Sequence, residues 1–322
     1  MYKFLNTILS PAIFCAFLFT SCEDKPAHDD VDLNVPKKIS IVTTTTQITD
    51  IVSRLVGDFC QVKSLMGPGT DPHSYKPTAH DITALSTADL VIYHGLKFEG
   101  KLASILSNKD SKVTSYAVCS AISKDLLLYS QEDNETIYPD PHVWFSPKLW
   151  LMCIDGVSAF LIEKIPEFEN EITARKILMK KEMEKVSTWA LTQLQSIPEK
   201  KRILITSHDA FRYLGDHFGL EVIALQGIST LQEAGLNDRT SLVDFIKDKQ
   251  VDCLFIESSV NPKALQEIAK ETGTQIGAPL FSDAFGSKEK QSTGPSGNNY
   301  PHDTWEGMLV YNISAILRGL NP

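Results

Sequence analysis

Several things are missing from this chain. After the first twenty or so residues, no apolar run is long enough to cross a bilayer. There is no His-Glu-x-x-His helix for a metalloprotease, no Gly-x-x-x-x-Gly-Lys loop for a nucleoside triphosphate, and no Gly-x-Gly-x-x-Gly after the first predicted strand for a dinucleotide. Basic residues are in the minority, 31 Lys and Arg against 40 Asp and Glu, for a net charge of -9. That balance argues against nucleic acid as a partner and favours a cation. Cysteine is scarce, six in all, with no pair at the close spacing of a zinc ribbon or a redox motif. Cys60, Cys119, Cys153 and Cys253 fall on or near predicted strands and helices and read as small core residues, with no disulfide assigned.

At 322 residues, 43% hydrophobic and 22% charged, the chain has the composition of an ordinary globular protein and the length of two domains. Lys3 precedes a short apolar run from Ile8 to Phe19, and Leu18-Phe19-Thr20-Ser21-Cys22 resembles a bacterial lipobox, with Phe19 where leucine is usual. Residues 1–21 are therefore expected to be a lipoprotein signal peptide, with Cys22 lipidated after cleavage. The plainer alternative is a secretory signal followed by an incidental cysteine. Residues 22–37 are acidic and proline-bearing, as suits a tether between a lipid anchor and a folded body.

From Lys38 the pattern alternates β and α. Ile39 to Thr43 and Leu90 to Tyr93 read as strands, and Ile48, Ile51, Val52, Leu55 and Val56 mark a helix between them. Thr78 and Asp81 have capping spacing, and Ser146-Pro147 opens a helix that Pro166 ends. From Glu167 to Ser196 there is no glycine or proline, and Ile172, Met179, Met183, Val186, Ala190 and Leu194 recur at helical spacing with a gap near Arg175. About 30 residues at ~1.5 Å each make a rod of roughly 45 Å. The alternation then restarts at Ile203, and a loop is expected from Asp283 to Asn299. The expected architecture is α/β: two Rossmann-like lobes with mainly parallel sheets, joined by a long rigid α-helix. The lobes are placed at 38–165 and 198–322 and the linking helix at 166–197.

The chemistry centres on a tripeptide that occurs twice, Asp71-Pro72-His73 and Asp140-Pro141-His142. Proline fixes one φ and biases the preceding aspartate towards extended backbone, so each imidazole is offered from a stiff loop. His208 and Asp283 each follow an apolar run that reads as a strand, where open α/β sheets bind ligands. Three imidazoles and a carboxylate, two from each side of the long helix, would make a four-coordinate site for a divalent ion. Glu257 and Asp209 are candidates to orient the ligands. His94 is expected in a turn or supporting role, His80 in none, and His302 has no assigned role.

Gly67 to Tyr75, Asp140 to Phe145, Ser207 to Phe211 with Tyr213, and Gln226-Gly227-Ile228-Ser229-Thr230 together resemble the motif series of the TroA-type family. These are the metal-binding proteins of bacterial ABC importers for zinc, manganese and, in some members, iron. The resemblance runs from about Ile39 to the carboxyl end. It implies His73, His142, His208 and Asp283 as ligands of one transported ion, no catalysis, and a monomer anchored by lipid at the cell envelope that serves a permease and its ATPase. The histidine-rich loop of many zinc members is absent, and acidic Gln131 to Tyr138 stands in its place. A metal-dependent hydrolase of the envelope and an adhesin on the same scaffold are the competing readings.

Overall fold

The computed structural model describes residues 38–107, 113–130 and 137–321. The signal peptide, the tether, Cys22 and most of the acidic stretch after Ser130 lie outside the described residues. The first half begins β1 (Ile39–Thr43), α1 (Thr46–Val56), β2 (Cys60–Ser64), α2 (Ala79–Thr87), β3 (Leu90–Tyr93), α3 (Ala103–Leu106) and β4 (Thr114–Ala117). Its four strands are all parallel, in the order β2-β1-β3-β4. The capping spacing at Thr78 is used in full: its hydroxyl accepts from Asp81 N, and the Asp81 carboxylate accepts from Thr78 N.

Two long helices follow. In α4 (Pro147–Lys164) Pro147 sits in the first turn and the Ser146 hydroxyl accepts from Leu149 N. The rod α5 (Glu169–Gln195) has 27 residues, about 40 Å at ~1.5 Å per residue. It starts later than the sequence pattern suggests, because Pro166–Phe168 forms a 3-10 turn and Phe168 stacks on Phe59 at 4.2 Å. Arg175 occupies the gap in the apolar stripe, its guanidinium 4.6 Å over the Phe59 ring and donating to Leu55 O. The stripe packs on α1 and α4 from the first half and on α6 and α9 from the second. Fully burying each of its larger side chains is worth ~1.5–3 kcal/mol.

The second half runs β5 (Ile203–His208), α6 (Arg212–Phe218), β6 (Glu221–Gln226), α7 (Leu236–Lys249), β7 (Cys253–Leu254), α8 (Lys263–Thr272), β8 (Gln275–Ile276), β9 (Gln291–Thr293), β10 (Asn299–Pro301) and α9 (Trp305–Leu320). Strands β5 and β6 pair in parallel, as do β7 and β8, and a parallel bridge between Thr206 and Phe255 joins the pairs. The resulting order, β6-β5-β7-β8, repeats that of the first sheet. The chain is thus two α/β lobes with parallel sheets and a long helix between them. The loop expected to reach Asn299 instead contains the antiparallel pair β9 and β10. These strands have three residues each and little apolar alternation, so periodicity carries no signal for them.

Candidate metal centre

Each of the four sequence candidates is set by its own local device. In the loop after β2, Asp71 Oδ1 accepts from His73 N at 2.9 Å. Gly100, at φ +48°, lies against this loop, and a Cβ there would run into the His73 carbonyl oxygen. In the second copy Asp140 Oδ1 accepts from His142 N at 2.9 Å and also lies 2.7 Å from His142 Nδ1. His208 ends β5, with its N donating to Glu257 Oε1 at 2.9 Å and its Nδ1 2.6 Å from Glu257 Oε2. Asp283 is held through its carbonyl, which accepts from Gln47 Nε2 at 2.8 Å.

These devices bring the donor atoms of His73, His142, His208 and Asp283 within 4.8 Å of one another. His142 Nε2 and His208 Nε2 each lie 3.2 Å from an Asp283 oxygen, and His73 Nε2 lies 3.4 Å from His142 Nε2. Donors about 2.0–2.1 Å from one ion in a tetrahedron stand about 3.3–3.4 Å apart, so these three edges have the size that a small divalent ion requires. Both Asp283 oxygens and His208 Nε2 are shut off from solvent without a well-formed hydrogen bond in the protein. Buried polar atoms left in that condition are costly unless something else binds them.

The stiff loops do not leave these ligands open to solvent. His142, His208 and Asp283 are fully buried and His73 is 6% exposed. Phe98 meets His73 and His142 edge-on, and Trp144 meets His142 likewise. Trp305 Nε1 donates to the Trp144 carbonyl, which fixes this wall from α9.

Burial raises the cost of charge here, and neighbours decide which groups carry it. His73 is pushed down to about 4, first by burial, against the opposing pull of Asp283. Burial acts on His142 in the same sense, but Asp140 and Asp283 outweigh it and hold the imidazole at about 9. Asp283 and Glu257 likewise overcome burial at His208 and raise it well above the ordinary value. Asp283 is lowered despite burial, first by His208 and then by its contacts with both imidazoles.

His94 stays outside the cluster. It is fully buried, its Nε2 is 2.7 Å from the Pro141 carbonyl, and burial takes it down to about 3, so a neutral ring donates to the second Asp-Pro-His loop. His302 pairs with Ser292 Oγ against Phe281 and Tyr311, and His80 with Lys63 at the surface. The reading of Glu257 as an orienting group fits its two contacts with His208. Asp209 does not touch the cluster through any hydrogen bond: burial and nearby Asp140 raise it to about 6, and Arg212 lies 3.8 Å away. Sequence reasoning missed the ring contact of Asp140, and missed Gln47 and Tyr213, whose hydroxyl donates to the Asp140 carbonyl. The aspartate two residues before His142 was the available signal for the first; Tyr213 stood in the quoted motif series without a role, and nothing local marks Gln47.

A family model described as the zinc-uptake complex component A, periplasmic, matches residues 41–319. The chain belongs to this family. Among curated relatives, the manganese-binding lipoprotein MntA of Bacillus subtilis is 35% identical over 318 residues, 97% of this chain and 98% of that one. The zinc-binding protein TroA of Treponema pallidum is 35% identical over 299 residues, 91% of this chain and 92% of its own. A solved structure of the periplasmic zinc-binding TroA from Treponema pallidum superposes with a TM-score of 0.81 at 34% identity, covering 88% of this chain and all of that one.

Proposed function

We propose that His73, His142, His208 and Asp283 together hold one divalent transition-metal ion, and that the chain is the substrate-binding component of an ABC importer that delivers this ion to a membrane permease. The observation that carries the reading is the buried convergence of three imidazoles and a carboxylate, with both carboxylate oxygens lacking well-formed hydrogen bonds in the protein. Membership of the zinc-uptake family and likeness to named zinc- and manganese-binding proteins support it. Zinc and manganese are the leading cargoes, with iron a further candidate. Each half of the chain supplies two ligands, as suits lobes at 38–165 and 198–322 on either side of a linking helix at 166–197.

The ion is cargo, and the chain acts without turnover. Four protein donors close a tetrahedron, whereas a hydrolytic centre keeps one position for water. The chain works as a monomer at the periplasmic or outer surface, held by lipid on Cys22 and served by a permease with its ATPase. The test is metal content together with calorimetry on the wild type and on alanine variants of the four ligands. The reading expects one ion per chain and a loss of affinity by orders of magnitude in every variant. Unchanged affinity in two of the variants would remove the assignment.

A further inference from the structure

The two Asp-Pro-His loops differ in what holds their aspartates. Asp140 satisfies His142 from within its own loop, at the backbone N and at ring Nδ1. Asp71 reaches only the backbone N of His73 with Oδ1. Its other oxygen, Oδ2, accepts from Ser74 Oγ at 2.8 Å and from Thr230 Oγ1 at 2.6 Å. Thr230 belongs to the opposite lobe, in the segment between β6 and α7. It closes the Gln226 to Thr230 motif, to which the metal site itself gives no role.

We propose that Thr230 is a positioning residue that ties the first Asp-Pro-His loop to the opposite lobe and so governs how fast His73 releases the bound ion. The proposal rests on the metal-binding reading above. A hydroxyl donating to a carboxylate makes a short, charge-assisted bond, and here it spans the two lobes. Any movement that carries Thr230 away removes the cross-lobe restraint on Asp71, and through it on the backbone N of His73. The loop is open to such movement: Leu231, next to Thr230, is 66% exposed, and Leu236 at the start of α7 is 80% exposed. The second loop has no comparable freedom, because Tyr213, 3% exposed, braces the Asp140 carbonyl from inside the core. His73, the one ligand with measurable exposure, is therefore the ligand that leaves first.

The experiment follows zinc release from loaded protein into excess chelator by stopped flow, for wild type, Thr230→Val and Thr230→Ser. Thr230→Val is expected to release zinc roughly tenfold faster, the scale of one lost hydrogen bond to a charged group, while its association rate stays close to wild type. Thr230→Ser keeps the hydroxyl and is expected to restore the wild-type rate. Ser74 still donates to Asp71 in the valine variant, so its metal-free form should melt cooperatively within a few degrees of wild type, which excludes a folding defect. Equal release rates for valine and wild type, each loaded with one zinc, would overturn the latch and leave the metal site standing. Failure of the serine variant to restore the rate would also overturn it. A wild type that binds no zinc, manganese or iron would overturn the latch and the metal reading together.

Discussion

In Asp140-Pro141-His142 the aspartate reaches both the backbone and the ring of its own histidine, and the imidazole stands at about 9. In Asp71-Pro72-His73 the same aspartate position reaches only the backbone, and burial takes the imidazole to about 4. The tripeptide prescribes how a histidine is presented, because proline and the aspartate-to-N hydrogen bond are common to both copies. Basicity is decided by what meets the second ring nitrogen and by the charges around it. One histidine is thus a strong donor that protons contest, and the other a weaker donor that stays neutral.

The largest expected difference between the copies lies in alanine variants. Both His73→Ala and His142→Ala should lose metal affinity by orders of magnitude. Without His142, however, Asp140 and Asp283 are left buried without their shared partner, which costs about 3–5 kcal/mol of fold stability. His73→Ala strands no buried charge and should cost at most about 2 kcal/mol. Denaturant melts of the two metal-free variants measure the gap, and coincident melts would mean that the asymmetry is wrong.

Acidity sharpens the same contrast. His142, held at about 9, keeps its proton at neutral pH in the metal-free chain, and Asp283 and Glu257 raise His208 in the same sense, so a bound ion has to expel protons. Affinity should then rise at least about tenfold per pH unit between roughly pH 6 and 8. Calorimetry in buffers of different ionisation heat counts the protons directly, and a count near zero would contradict a protonated His142. Stability without metal has opposite signs at the two copies. The raised His142 contributes stability that is full below its unfolded value of about 6.5 and is lost as pH rises through about 9. The depressed His73 contributes stability that is present above about 6.5 and is lost as pH falls through about 4.

Smaller effects are expected from the aspartates themselves. Asp140→Asn should weaken metal binding about 10–100-fold and reduce the number of protons released, since the ring loses its carboxylate. Asp71→Asn should cost at most about tenfold and leave the proton count unchanged, because its carboxylate meets the His73 backbone, Ser74 and Thr230 but no imidazole nitrogen. Equal losses in the two variants would break the comparison. The smallest effect expected is on selectivity: His208→Glu replaces a borderline donor with harder oxygen and should lower the zinc-to-manganese affinity ratio severalfold. Competition titrations at one pH read that ratio, and a ratio unchanged or shifted towards zinc would place selectivity elsewhere.

Much of this architecture was legible in residue patterns, for reasons that are local. Thr78 with Asp81 and Ser146 with Pro147 are chemical signals for helix starts, and both form as expected. The stripe on α5 was readable because helical spacing is a property of contiguous chain, and even the gap at Arg175 proved to be a real break in the apolar face. His73, His142, His208 and Asp283 could be picked out because two stiff loops, the end of β5 and the apolar run before Asp283 are visible one at a time. Their burial was not visible, since Phe98, Trp144 and Trp305 come from separate segments and close over the imidazoles only in the folded chain. The hydrogen bonds from Gln47 to Asp283 and from Thr230 to Asp71 join residues far apart in sequence and leave no trace in spacing. The pair β9 and β10 was missed because three residues per strand, with Tyr300 the one buried apolar side chain between them, have no period to read.

The central claim is that both Asp-Pro-His copies, with His208 and Asp283, grip the same ion. The most direct measurement is an anomalous-scattering crystal structure of the zinc-loaded protein. The account predicts one peak, about 2.0–2.2 Å from Nε2 of His73, His142 and His208 and from a carboxylate oxygen of Asp283. A peak outside this cluster, or one that leaves either Asp-Pro-His histidine unbound, would contradict it.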